Sequence, residues 1–102
     1  MAIVNVSIVP LGTRTSSISK YVARALKVVQ RQRVVSYKLT PMGTVLEGDL
    51  DKVLSVVRQM HESGFEKGVR RVLTTIAIDD RRDKKATMES KVQSVERKLR
   101  RS

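Results

Sequence analysis

Residues 34–49 read Val-Val-Ser-Tyr-Lys-Leu-Thr-Pro-Met-Gly-Thr-Val-Leu-Glu-Gly-Asp. Two short runs of strand-type residues flank a Thr-Pro-Met-Gly turn, the pattern of a β-hairpin. Pro41 and Met42 suit the central positions of a type I turn. Gly43 suits the left-handed residue that follows, which predicts a three-residue loop with a glycine bulge. In that register Thr40 pairs with Thr44, Leu39 faces Val45 and Tyr37 faces Glu47. Val35, Tyr37, Leu39, Val45 and Glu47 then share one face, with a phenol beside an acid. A carboxylate on a largely apolar strand face is costly unless something pairs with it. Glu47 is therefore a candidate ligand-binding group.

Upstream of the hairpin, Ile3 to Val9 alternates, with Val4, Val6 and Ile8 on one face, and predicts a strand. Pro10-Leu-Gly-Thr-Arg-Thr ends it. Ser16 or Ser17 then caps a helix whose apolar stripe is Ile18, Val22, Ala25, Leu26 and Val29. Downstream, Gly48 ends the third strand and Asp49 is a suitable N-cap for a second helix. Its inner face carries Leu50, Val53, Leu54, Val57 and either Met60 or His61, and Gly64 terminates it. Val69 to Ile78 is the longest strand, and residues 79–83 form a charged turn. A last helix runs over about 86–101, with Met88, Val92, Val95 and Leu99 at spacings of four, three and four. The order is βαββαβ followed by a helix. This predicts an α+β, ferredoxin-like sandwich, a four-stranded antiparallel sheet with two covering helices plus a C-terminal helix, in a single domain over 1–102. The second face of such a sheet keeps apolar members, so the last helix or another subunit is expected to pack on it.

Composition narrows the chemistry. The 102 residues hold no cysteine and a single histidine, His61. That removes disulfides, thiolate metal sites and most histidine-based catalysis. No nucleophile–base pair, metal cluster or phosphate loop is visible, so a catalyst is not expected. No apolar run approaches the roughly 20 residues needed to span a bilayer. Met-Ala-Ile-Val-Asn-Val lacks the regions of a signal peptide, and the expectation is a cytoplasmic protein.

The formal net charge is +11, which raises a nucleic-acid-binding module of ferredoxin-like fold as the alternative function. From residue 80 onward nine lysines and arginines face four acids, so nearly half of that excess sits in the last 23 residues. Tyr21, Tyr37 and Phe65 are the only aromatics, and they are not clustered. Single-strand recognition normally sets stacking platforms beside the cations.

Three segments carry a resemblance. Val6-Ser-Ile-Val-Pro-Leu-Gly-Thr, Thr15-Ser-Ser-Ile-Ser-Lys-Tyr-Val and Tyr37-Lys-Leu-Thr-Pro-Met-Gly-Thr-Val-Leu-Glu-Gly resemble the YkoF-like thiamine-binding family of small archaeal, bacterial and fungal proteins. The resemblance covers nearly the whole chain and implies a ferredoxin-like fold and a homodimer or homotetramer. It also implies binding of thiamine or its hydroxymethylpyrimidine part as ligand, with no cofactor and no known reaction. On that footing Glu47 accepts from the exocyclic amine or a protonated ring nitrogen. Thr40 and Thr44 offer hydroxyls that donate and accept. Ser17 and Ser19 sit in the first turn of the first helix, Tyr37 lines the ring or pairs with Glu47, and Met42 gives soft apolar contact. Each residue also has a plainer reading. Ser17 is a helix cap, Thr40 and Thr44 are hairpin flanks, Glu47 pairs with a surface cation, and Tyr37 packs.

Overall fold

The computed structural model describes residues 1–12, 19–66, 68–83 and 87–101. The expected cap at Ser16 or Ser17, and Ser17 as a ligand contact, lie outside the described residues. The elements are β1 (Ala2–Leu11), α1 (Ser19–Gln30), β2 (Ser36–Thr40), β3 (Gly43–Gly48), α2 (Leu50–Glu62), β4 (Arg71–Asp80) and α3 (Met88–Arg101). The sheet runs β2-β3-β1-β4, antiparallel throughout. This is the expected ferredoxin-like α+β arrangement with an added C-terminal helix.

One face of the sheet is apolar because its inward positions alternate in register. Val4 and Val6 of β1 lie beside Leu46 and Thr44 of β3. Val29 of α1 and Val53, Val57 and Met60 of α2 close over them. Leu46, Met60, Val4, Val6, Val29 and Val53 are the largest fully buried side chains. At about 25 cal/mol per Å2 of apolar surface, this cluster is the main source of stability. Asp49 begins α2 as expected, its carboxylate accepting the Asp51 N–H at 3.0 Å. Met60 rather than His61 completes the inner face. His61 Nδ1 instead lies 2.6 Å from Thr74 Oγ1, with Phe65 edge-on to its ring.

Local chemistry moves several boundaries. β1 runs through Pro10, because beyond Val6 it has β4 as its one neighbour and a sheet edge tolerates proline. β2 starts at Ser36 instead of Val34. The Gln32 side chain captures the Val34 and Val35 N–H groups at 2.9 and 2.7 Å, and donates to Val29 O and Val35 O. Gly64 is not left-handed; a Cβ there would lie 3.0 Å from Val72 Cγ2, so its role is close packing. Asp79 and Asp80 belong to β4, and the charged turn begins at Arg81.

The hairpin differs most. The loop has two residues, and Thr40 pairs with Gly43, Leu39 with Thr44, Tyr37 with Leu46 and Ser36 with Glu47. Thr40 Oγ1 donates to Gly43 O at 2.8 Å and accepts the Met42 N–H at 3.3 Å, closing the turn one residue early. Gly43 has a positive φ of 153° and lies tight against β1. A one-residue slip moves side chains to the other face. Tyr37 and Leu39 therefore turn toward the helices, while Val45 and Glu47 lie on the open face beside Ser36 and Lys38. The expected pairing of Tyr37 with Glu47 does not form.

α3 begins with a reciprocal cap, Ser90 N–H to Thr87 Oγ1 and Thr87 N–H to Ser90 Oγ. It meets the sheet through its first turn. The Met88 N–H lies 3.5 Å from Glu47 Oε2, and Lys91 pairs with Asp79. It buries no residue, and Val92, Val95 and Leu99 are 54%, 58% and 68% exposed. No helix among the described residues is long and apolar enough to cross a membrane.

Candidate functional site

The register places the hairpin's helix-facing residues against α1 and leaves a cleft between them. Its walls are Tyr21 and Val22 of α1, Thr40 and Met42 of the turn, Thr44 of β3 and Met60 of α2. Its volume is about 130 Å3. A single water needs roughly 10–15 Å3 on that measure, so the space takes on the order of ten waters or one small ring system. Outward it continues along α1 past Ser19 and Leu39.

Two hydroxyls give this cleft its chemistry. Thr44 and Tyr21 are 5% and 8% exposed, yet neither hydroxyl bonds to another described residue. Neither oxygen is sealed from solvent, since among the described residues Arg24 Nη1 is the buried side-chain polar atom left without a partner, so each hydroxyl can exchange water for a ligand group. A hydroxyl both donates and accepts, so the pair can meet a ring nitrogen and an amine from opposite walls. Val22, Leu39, Met42 and Met60 supply apolar contact to the faces of such a ring. No acidic residue lines the cleft.

Of the expected site residues, Ser19, Thr40, Met42 and Thr44 come together here, with Thr40 already engaged in closing the turn. Tyr37 is on the same face but farther along β2, its hydroxyl accepting from Gln30 Nε2 at 3.2 Å. Glu47 is on the opposite face, half-buried, at the start of α3. A carboxylate there is favoured by the free N–H groups and partial positive charge of a helix N-terminus. Nearby, a broader groove of about 610 Å3 opens between the sheet and α3, lined by Lys38, Val45, Met88, Glu89 and Val92 and bordered by the expected site residues Tyr37 and Thr40. The expected grouping of Glu47 with Thr44 is thus split across the sheet.

Tyr21 and Met60 are cleft residues that the pattern reading passed over. Tyr21 was legible in principle, because 21, 25 and 29 repeat every four residues and all three are buried. Its ring also carries cations, with Lys20 Nζ 5.2 Å and Arg24 Cζ 5.7 Å from the centroid. Arg24 Nη1 lies 3.1 Å from Glu66 Oε2, close enough for an ion pair but without hydrogen-bond alignment.

The three aromatics form no stacking platform. Tyr21 is in the cleft wall, Tyr37 holds Gln30 and Phe65 leans on His61. Single-strand readers of this fold stack bases on exposed aromatics of two central strands, and here Tyr37, on the edge strand, is the one aromatic that borders the groove under α3. Among the described residues no group of three His, Cys, Asp or Glu could hold a metal ion.

Comparison with known proteins agrees with this architecture. Residues 4–96 match the family model described as thiamine-binding protein. The chain is 49% identical to UPF0045 protein YqgV of Bacillus subtilis, over 97% of this chain and 98% of that one. It is 40% identical to a UPF0045 protein of Methanothermobacter thermautotrophicus, over 97% and 100%. The solved structure of protein MJ1052 from Methanocaldococcus jannaschii superposes with a TM-score of 0.83 at 38% identity, covering 92% of this chain and 94% of that one. A fold, a length and a family model that agree over almost every residue place this chain in the thiamine-binding protein family.

Proposed function

We propose that the protein binds a small aminopyrimidine, free hydroxymethylpyrimidine or the same ring within thiamine, in the cleft between α1 and the β2–β3 hairpin. It acts as a cytoplasmic carrier, buffer or sensor and not as a catalyst. The observation that carries this reading is the cleft itself, an apolar-walled space lined by Thr44 and Tyr21, whose hydroxyls make no hydrogen bond to another described residue. Membership of a thiamine-binding family supports the ligand class. Thr40 and Met42 shape the mouth, and Ser19 extends the polar edge. Glu47, on the other face, holds α3 and is not a ligand contact in this reading.

Calorimetric titration of hydroxymethylpyrimidine tests it. Thr44→Val keeps the shape and removes the hydroxyl, and is expected to weaken binding about 3- to 10-fold, the worth of one neutral hydrogen bond. Glu47→Gln is expected to leave the affinity unchanged. The opposite pattern would move the site to the open face.

We further propose that the protein self-associates through α3, on which Val92 and Val95 are 54% and 58% exposed. Exposed apolar stripes of this kind mark contact surfaces. Deletion from Asp83 onward is expected to lower the mass seen by sedimentation while the rest still melts cooperatively. An unchanged assembly would remove α3 from the interface.

A further inference from the structure

We infer that the free edge of β4 is a second contact surface, which pairs antiparallel with β4 of another copy of this chain, centred on Thr75, and joins two four-stranded sheets into one. This surface is separate from the α1 cleft and from α3, and the inference stands without either.

β4 is an outer strand, with β1 on one side and no strand on the other among the described residues. An open edge leaves a row of N–H and C=O groups unpaired, and proteins usually blunt it with a short strand, a lysine or a proline. The opposite edge has all three. β2 is five residues long, carries Lys38 and runs into Pro41. β4 is ten residues long, and residues 72–78 read Val-Leu-Thr-Thr-Ile-Ala-Ile, without charge, proline or glycine. Its register sets Ile76 beside Val6 and Ile78 beside Val4 on the helix face. Val4 and Val6 are buried, yet both isoleucines are about half exposed. Leu73, on the open face, is exposed to a similar degree. Phe65, which leans on the His61 that bonds Thr74, adds another exposed apolar side chain near this edge.

The charges at the strand's two ends select a second copy as the occupant. Arg70 and Arg71 lead into the strand, and Asp79 and Asp80 close it. A parallel copy would set arginines beside arginines and aspartates beside aspartates. An antiparallel copy sets each pair against its opposite. Directly opposed residues of an antiparallel pair share a face, so one joined sheet with its helices on one side admits every second register. With Thr75 opposite the partner's Thr75, Arg71 falls opposite the partner's Asp79, and symmetry makes that contact twice. On the helix face Val72 then meets the partner's Ile78, and Thr74 meets the partner's Ile76. The next allowed register on either side puts Asp79 against leucine or valine and leaves Arg71 without an acid. Arg71 is exposed and pairs with no acid among the described residues. Asp79 already takes Lys91, but a carboxylate has oxygens enough for a second donor.

The test is sedimentation equilibrium on the full chain, comparing the wild type with Thr75→Lys and Thr75→Glu. Thr75 is exposed within one chain, so either variant should keep a cooperative melt. The proposed register brings position 75 opposite itself, so each variant alone opposes like charges across the joint. Each is expected to raise the dissociation constant of this contact about tenfold or more. An equimolar mixture of the two should regain wild-type association, because lysine then faces glutamate. Arg71→Glu, at the end of the strand, sets an acid against the partner's Asp79 and should weaken association in the same direction even if the Thr75 variants fold poorly. Unchanged association in the charged variants, or a wild-type chain that is monomeric at about 0.1 mM, would overturn the inference. Loss in both Thr75 variants with no recovery in the mixture would overturn the antiparallel register. The role of α3 is read separately, since deletion from Asp83 onward leaves β4 whole.

Discussion

Replacing Gly43 with alanine is expected to cost about 3 kcal/mol of folding stability, a fall in Tm of about 10–20 °C for a domain of this size. Gly43 has φ +153°, where a side chain is strained whatever the space. A Cβ there would also lie 2.7 Å from Val6 O and 2.9 Å from Asn5 Oδ1. The first of these is backbone in the central strand and cannot swing aside. Relief requires β1 and β3 to separate or the hairpin to slip, and a slip would turn Thr44 out of the cleft. Gly43→Ala should therefore lose ligand affinity along with stability. Thermal and urea melts decide the first part. A loss under about 0.5 kcal/mol, within the usual range for a surface substitution, would mean that the strand spacing relaxes freely.

Met60→Ala is expected to cost about 2–5 kcal/mol, the range for emptying a buried methionine site. Met60 is 1% exposed and belongs to both the core cluster and the lining of the cleft. Its removal joins a new void to an existing one that solvent reaches, so water can fill part of it and the cost should fall toward the lower end. The same enlargement removes an apolar wall, and binding of the small pyrimidine should weaken with it. Leu99→Ala provides the contrast. Leu99 is 68% exposed, and within a single chain its truncation should change stability by less than about 0.5 kcal/mol. Urea unfolding of the two variants under identical conditions separates core from surface. Equal losses would contradict the assignment of Met60 to the core.

How much of this was readable from the chain depends on whether the signal is local. Val4 and Val6 on β1, the Asp49 cap of α2 and the Met88–Leu99 stripe all rest on periods of two or 3.6 residues and on a nearby cap, and they stand where the pattern puts them. The hairpin register does not follow from turn preference alone. Pro-Met-Gly favours a bulged three-residue loop, but the Thr40 hydroxyl clips the turn at two residues, and Gly43 is held in place by Val6 from a strand over 30 residues earlier. Composition carries neither fact. That single step decides the site, because it sends Tyr37 and Glu47 to opposite faces and brings Thr44 beneath α1. Gln32 likewise looks like an ordinary polar loop residue, yet it holds four backbone groups and delays β2 by two positions. Tyr21 faces inward, outside the expected stripe, a consequence of its four-residue spacing to Ala25 and Val29.

Amide chemical-shift mapping of the full-length protein during titration with hydroxymethylpyrimidine tests the location of the site most directly. Saturating shifts should cluster at Tyr21, Val22, Met42, Thr44 and Met60, the two walls and back of the α1 cleft. Shifts concentrated at Val45, Glu47, Met88 and Val92 would instead put the ligand under α3 and contradict the account.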